Sequence, residues 1–535
     1  MNPHQNDLDR AASIDTLAAE ILSELRRRFP ICLASDEFHY FPQVPPRRED
    51  LRRWDDFSPE SVGVTIERCD RWRRDLKRPM GPHHDLESQT DINLLHWVLT
   101  IISEQLAMAR PHTTQPTFYL TLAGVGLAQA YESNAAAWQH RLRGFPEFLA
   151  SAQAQISSLP RLFQAHGLKM AQTLKAWLET LAAPPGAPGD LKPALRALEG
   201  FRAHLERVPT HSEFRLPAEL YARIAHTHLG IGLSLEAIAE ELDAELEETR
   251  EILREESARL APGRLWHQVL AQLEFNPPLN LSGDINGYNI YRQIITRLES
   301  HCIAQGLVTE SDAAASPVTV AAVPDYLIPM RSAAAYSMVP GHPATGGTFY
   351  LLPGDLQRRP AADIHLLSAH ETYPGHHLLD TARWNLGRPL RRHLEFPLFY
   401  EGWASFAEEL LFDTGFCAGS RERLLMAKRR YYRALRGKAD LMLNQGRWSR
   451  ATAADHLHQA GYPSATAERM LSRYALKPGY QLCYSMGRRR FHELYAAWLA
   501  RGGRLEDFCA QVLSGGEVHL NDLKARFQAP NQGTG

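Results

Sequence analysis

The sequence predicts a mostly α-helical fold with a minor β element, and three observations carry the prediction. Apolar residues recur at three- and four-residue intervals over long stretches, most plainly from Leu120 to Leu181 and from Ala361 nearly to the end. Alternating β-branched runs are scarce, and Ser316-Pro-Val-Thr-Val and Gly347-Thr-Phe-Tyr-Leu-Leu are the clearest strands. Proline and glycine collect in two stretches that cannot hold a helix, Ala182–Asp190 and Ala313–Gly347.

The first of those stretches is the best boundary in the chain. It divides 535 residues into an N-terminal helical half, 1–185, and a C-terminal half, 190–535. Helical pattern continues on both sides, which favours one composite fold, and no repeat of fixed period is present. Hydrophobic residues at 44% and charged residues at 22% suit a packed globular chain and exclude a disordered tail or a collagen-like rod. With 59 basic and 61 acidic residues the net charge is −2, which removes the simplest electrostatic case for nucleic acid or an anionic membrane as partner.

The six cysteines, Cys32, Cys69, Cys302, Cys417, Cys483 and Cys509, form no C-x-x-C pair. That argues against a zinc ribbon or redox dithiol and suits a reducing compartment. The start, Met1-Asn-Pro-His-Gln-Asn-Asp, lacks the basic and apolar regions of a signal peptide, and there is no clean run of ~20 apolar residues. The expected location is the cytoplasm.

Several weaker signals are set aside. Gly232–Arg250 has the rhythm of a helix-turn-helix, but its second half is dense in Glu, so it reads as a pair of solvated acidic helices. Gly124-Val-Gly126 lacks the third glycine of a dinucleotide fingerprint, and neither a nucleophile elbow nor a phosphate loop occurs. His83-His84 and His226-Thr-His228 read as surface or core residues among 24 histidines.

The chemistry-bearing stretch is Ile364-His-Leu-Leu-Ser-Ala-His370-Glu371-Thr-Tyr-Pro-Gly-His376-His377. In H-E-x-x-H zinc hydrolases two histidines four apart share a helix face, and the Glu after the first is the general base. Here Pro374 occupies the fourth position. Two nitrogens on one tetrahedral zinc lie about 3.4 Å apart. Along an unbroken helix His376 would be ~9 Å and His377 ~10.5 Å beyond His370. Pro374-Gly375 is the dipeptide that breaks a helix, so a bulge after Glu371 could bring either histidine into register.

A third ligand is sought in Leu398-Phe-Tyr-Glu401-Gly-Trp-Ala-Ser-Phe-Ala-Glu408. Glu401 and Glu408 are seven apart and share one helix face. Glu401 opens an aromatic run, Phe399, Tyr400, Trp403 and Phe406, where a carboxylate needs a partner and a metal is one.

His370-Glu-Thr-Tyr-Pro-Gly-His-His followed by Glu401-Gly-Trp-Ala-Ser-Phe-Ala-Glu resembles the bacterial family catalogued as domain of unknown function 885. Its members look like distant relatives of the helical gluzincin metallopeptidases, such as thimet oligopeptidase and angiotensin-converting enzyme. Phe214-Arg-Leu-Pro-Ala-Glu-Leu-Tyr, Gly347-Thr-Phe-Tyr, Arg436-Gly-Lys-Ala-Asp440 and Pro478–Gly487 look like further family segments, so the resemblance covers roughly residues 200–530.

The resemblance implies a gluzincin-like fold with a cleft between two helical halves. It implies Zn2+ held by His370, His376 and Glu401, with Glu371 as general base on a zinc-bound water. His376 is preferred to His377 because Gly375-His376 matches the Gly-His ending of the relatives' motif. Glu408 and His377 are candidates to support the ligands, and Tyr484 would hold the oxyanion, with Tyr480 less favoured. One departure is visible: the relatives' Gly-x-His after the Arg-x-x-x-Asp pair is replaced here by Met442 and Asn444. Arg436 and Asp440, four apart, read as an intrahelical ion pair.

The function expected is therefore a zinc-dependent hydrolase of an amide bond, most simply in a short peptide. A metal-dependent amidohydrolase on a small non-peptide metabolite would use the same residues. An inactive helical scaffold that binds a partner is disfavoured by the intact His370, Glu371 and Glu401.

Overall fold

Helices form where the apolar period places them. The computed structural model describes residues 3–76, 85–182, 190–273, 287–324, 328, 334–352 and 361–528. The stretch from Leu120 to Leu181 is three helices, Pro116–Ser133, Ala135–Gln155 and Arg161–Ala182. Asn134 divides the first two, its backbone extended and its side chain accepting the Ala137 N–H as an N-cap. Gly124 and Gly126 lie inside the first helix, not in a phosphate-binding turn. The interior of the expected boundary, 183–189, lies outside the described residues, as do His83 and His84.

The segment Leu86–Thr114 is long and apolar enough to cross a membrane by length and composition, which the sequence reading missed. Within the fold 56% of its most apolar window is buried. Its Asp91 accepts from Arg391 at 2.5 Å and also pairs with Arg388, as befits a core helix tied to the C-terminal half. His228 is buried against Glu104 at the end of that helix, 2.8 Å from Nε2 to Oε2.

Six helices matter to the site: α1 (Leu235–Leu260), α2 (Ile364–Glu371), α3 (His376–Asn385), α4 (Pro397–Asp413), α5 (Gly419–Asn444) and α6 (Leu482–Leu499). The expected pair of solvated acidic helices is instead the single helix α1, capped by the Ser234 hydroxyl on the Ala237 N–H. Nor is it solvated on all sides. Glu245 is buried and holds Arg430 at 2.8 Å and Arg488 at 2.7 Å, while Glu256 holds Arg423 at 2.8 Å. The acidic face of α1 is therefore an ion-pair seam against α5 and α6.

Both predicted strands are present and lie in one three-stranded sheet. β1 (Val318–Ala322) and β3 (Gly347–Leu351) pair in parallel, and an edge strand the sequence did not suggest, β2 (Ala335–Met338), pairs antiparallel to β3. The principal hydrophobic core runs from Ile14 to Phe527 and contains residues from both sides of the 182–190 stretch. Trp97 stacking on Phe396 at 3.9 Å is one of its joints. The architecture is thus mostly α with a minor β element.

Candidate metal centre

The centre begins with a helix that stops. α2 delivers His370 and Glu371, then Thr372 leaves helical space (φ −124°, ψ −100°) and α3 starts at His376. Gly375 makes this possible, because its N–H bonds the Ala369 carbonyl at 3.0 Å. A Cβ there would overlap the carbonyl oxygens of Ala369 and His370, so only glycine fits. Trp403 Nε1 donates to the Pro374 carbonyl at 3.0 Å and clamps the loop onto α4. The bulge that the sequence required after Glu371 is a complete break of four residues.

That break brings His370, His376 and Glu401 together, with ligand atoms within 4.8 Å of one another and all three side chains buried. Glu401 Oε2 lies 3.4 Å from His370 Nε2 and 3.6 Å from His376 Nε2. These are the separations of two ligand atoms on one tetrahedral zinc, about 3.4 Å. Glu401 Oε2 is buried and, beyond the two imidazoles at those separations, has no hydrogen-bond partner among the described residues, an expensive state for a carboxylate oxygen unless a cation satisfies it. Two imidazoles and one carboxylate are the donor types that a catalytic zinc site uses. The residues fit the ion.

The imidazole of His370 is bracketed by the two glutamates seven residues apart on α4. Glu401 faces Nε2, and Glu408 Oε1 lies 3.1 Å from Nδ1. A proton on Nδ1 shared with Glu408 leaves the Nε2 lone pair facing Glu401 and His376. Glu408 is itself fixed by Arg429 at 2.7 and 2.9 Å and by Arg433, and against the effect of burial these guanidiniums, Arg429 first and then Arg433, hold the carboxyl well below its usual range. His376 stacks on Tyr400 at 3.9 Å. Glu371 is buried next to the two histidines, and burial pushes its carboxyl above the ordinary value.

Tyr480 and Tyr484 both donate to Glu401 Oε1, at 2.8 and 2.7 Å. The sequence reading favoured Tyr484 as an oxyanion donor and put less weight on Tyr480; the structure brings both phenols to the same oxygen of Glu401. They reach it because α4 and α6 cross at backbone contact. A Cβ on Gly402 would stand 2.6 Å from Gly487 Cα, so the small residues of the Glu401-Gly and Ser-Met-Gly487 segments set the approach. Asp440 then fixes the start of α6 by accepting the N–H groups of Gly479 at 2.9 Å and Gln481 at 3.1 Å. Its expected ion pair with Arg436 is not among the ion pairs of the described residues, because these donors and Asn444 at 2.7 Å already fill its oxygens.

His377 points away from the centre. Its Nε2 lies 2.8 Å from the Ser316 carbonyl and its Nδ1 2.7 Å from the Tyr336 hydroxyl. Burial lowers its pKa to about 4, so it is a neutral pin between α3 and the sheet. The sequence reading missed Arg429 and Arg433. Their signal is a basic ladder at 429, 433 and 436 on one face of α5, with spacings that match a glutamate ladder seven apart.

A second buried trio, Asp380, Glu395 and Glu517, also brings carboxylate oxygens within 4.8 Å of one another. Here Arg383 occupies the middle, 2.6 Å from Asp380, 3.4 Å from Glu395 and 3.6 Å from Glu517. One guanidinium cannot neutralise three carboxylates, and burial pushes Glu517 well above its ordinary 4.5. Glu517 is the farthest from Arg383, and its Oε1 has no hydrogen-bond partner. We read the trio as a proton-sharing network behind His376, joined to it through Tyr400, whose hydroxyl donates to Asp380 at 3.2 Å.

A carboxyl whose folded pKa is raised contributes stability that is full below its unfolded pKa and is lost as pH rises through the folded one. Glu517→Gln keeps the shape without the titration. Urea unfolding at several pH values is expected to show parent stability falling as pH rises above the ordinary carboxylate range, with the variant flatter. Parallel curves would refute the assignment of the proton to Glu517.

Comparison with known proteins follows from this geometry. The fold is similar to a structure described as "a putative lipoprotein of unknown function from Shewanella oneidensis", with TM-score 0.75 and 15% identity over 96% of this chain and 100% of that one. It is also similar to "the putative lipoprotein from Colwellia psychrerythraea", with TM-score 0.79 and 16% identity over 97% of this chain and 99% of that one. At such identities the likeness concerns the fold alone. A search of curated proteins returned no match. The model of a family of bacterial proteins of unknown function matches residues 47–527, a span that includes every residue of the centre, and the chain belongs to that family, DUF885.

Proposed function

We propose that the protein is a zinc-dependent hydrolase of amide bonds, acting on short peptides, and that it is akin to the helical gluzincin peptidases with their cleft between two halves. The observation that carries the reading is Glu401 Oε2, a buried acceptor without a hydrogen-bond donor among the described residues, set between His370 Nε2 and His376 Nε2. His370, His376 and Glu401 would hold the zinc, which supplies polarisation of the substrate carbonyl and acidification of a water. Glu371 takes the proton from the attacking water and passes it to the leaving amine. Glu408 and Arg433 keep the His370 ring oriented. Because Tyr480 also satisfies Glu401 Oε1, Tyr484 can release that oxygen and donate to the developing oxyanion without stranding the carboxylate.

Metal content by mass spectrometry tests the ligand set. About one zinc per chain is expected in the wild type. It should be lost in His370→Ala, His376→Ala and Glu401→Ala and kept in His377→Ala. Retention of zinc in all four, or none in the reconstituted wild type, would overturn the reading. A cytoplasmic location draws support from the six unpaired, buried cysteines. The two similar structures carry the description "putative lipoprotein", which favours the cell envelope. Fractionation of cells making the native protein decides between these locations.

A further inference from the structure

Two arginines of α5 beside the centre have donors with no acceptor among the described residues. Arg436 lies 5.0 Å from the ring centre of Tyr484, the phenol that donates to Glu401. Its expected partner Asp440 is engaged by Gly479, Gln481 and Asn444. Among the described residues Arg436 forms no ion pair and its buried Nε has no hydrogen-bond acceptor. One turn earlier, Arg433 spends Nη2 on Glu408, while its buried Nη1 also has no acceptor. The Tyr474 hydroxyl, which Arg436 senses electrostatically, is likewise buried without a partner.

Burial strips hydration from the Arg436 guanidinium, and among the described residues it is offset by neighbouring phenols and the more distant Glu401 rather than by a carboxylate hydrogen-bonded to its Nε. The planar fork of an arginine matches a carboxylate in two parallel hydrogen bonds. Among the described residues, the carboxylates beside these arginines have partners of their own: Glu408 on Arg429 and Arg433, Glu401 on the two phenols, Asp440 on the α6 turn.

We infer that Arg436, with Arg433 Nη1 beside it, binds a carboxylate of the substrate, so that the hydrolase acts close to an acidic group and most simply close to a free C-terminus. Arg436 stands one phenol away from Glu401, a length comparable to one or two extended residues at ~3.5 Å each. The carboxylate therefore sits one or two residues from the scissile amide. This inference rests on the zinc-hydrolase reading for the reaction, but the carboxylate site itself is defined by the arginines.

The test is calorimetric titration of the zinc-loaded protein, and of the same protein after chelation, with three probes. These are trialanine, trialanine amide, and Ala-Asp-Ala amide. Trialanine is expected to bind about tenfold or more tightly than its amide. The preference should survive metal removal and disappear in Arg436→Gln. Arg436→Lys, which keeps the charge, should retain part of it, and melting curves confirm that both variants are folded. If Ala-Asp-Ala amide binds as tightly as trialanine, the site reads any nearby carboxylate and the inference stands. Equal or unmeasurable binding of all three probes overturns it. So does a preference unchanged in Arg436→Gln, or one that vanishes with the metal. A protein that shows the preference yet binds no zinc would leave this inference in place and remove the hydrolase reading.

Discussion

Glu371→Gln is expected to lower turnover of a susceptible short peptide by ~10²–10⁴ while bound zinc stays at the wild-type level. The substitution keeps the volume of the side chain and removes only its capacity to take a proton. Glu371 contributes no atom to the group formed by His370, His376 and Glu401, so a zinc held there would not depend on it. Glu371 is also a buried carboxyl whose charged form is disfavoured by that burial. Neutral Gln relieves the cost, and the melting temperature should hold or rise. Activity lost while stability holds is the mark of a group kept for chemistry. An unchanged rate would reject Glu371 as the base. A rate lost together with the zinc would show it acting as a ligand or a support.

The sequence carried the centre further than it carried the fold around it. His370-Glu371 followed by Pro374-Gly375 is a local signal: it states that a helix must end, and the ending is where the prediction put it. Which of His376 and His377 turns inward is not local. That depends on Tyr336 and Ser316, which lie on and beside a sheet whose edge strand has no clear pattern of its own. Glu401 and Glu408 were legible as a pair because seven residues is a helical repeat.

The failures share one cause. The glutamates of α1 looked solvated because charge runs usually are, yet Glu245 and Glu256 meet arginines that lie far along the chain. Arg436 and Asp440 looked paired because they are four apart, yet the backbone of residues 479–481 takes the carboxylate first. Charge pairing inside a core is settled by tertiary approach, and a single sequence shows only the local alternative.

That approach is set in turn by two glycines, and Gly487→Ala is the substitution expected to cost the fold most. A Cβ at position 487 would overlap the Leu398 carbonyl oxygen and stand 2.6 Å from Gly402 Cα. Both neighbours are backbone of α4, so no side chain can swing aside, and the two helices must separate. Overpacking of an ordinary core costs about 1–3 kcal/mol; with backbone on both sides we expect at least ~3 kcal/mol, read as a lowered urea midpoint with unchanged slope.

The damage should not stop at stability. Tyr484 reaches Glu401 from the first turn of α6 and Tyr480 from the turn just before it, and Glu401 sits on α4 immediately before Gly402. Parting the helices lengthens both hydrogen bonds and loosens the carboxylate, so zinc affinity should fall in the fraction that remains folded. Gly63→Ala supplies the contrast. It adds the same methyl group inside the helix Pro59–Leu76, where a Cβ meets nothing within 4 Å. Ala is the better helix former by up to ~1 kcal/mol, so that variant should be as stable as the parent or more so. If both variants behave alike, the contact between α4 and α6 yields more easily than its geometry requires, and the tyrosine pair is not held by it.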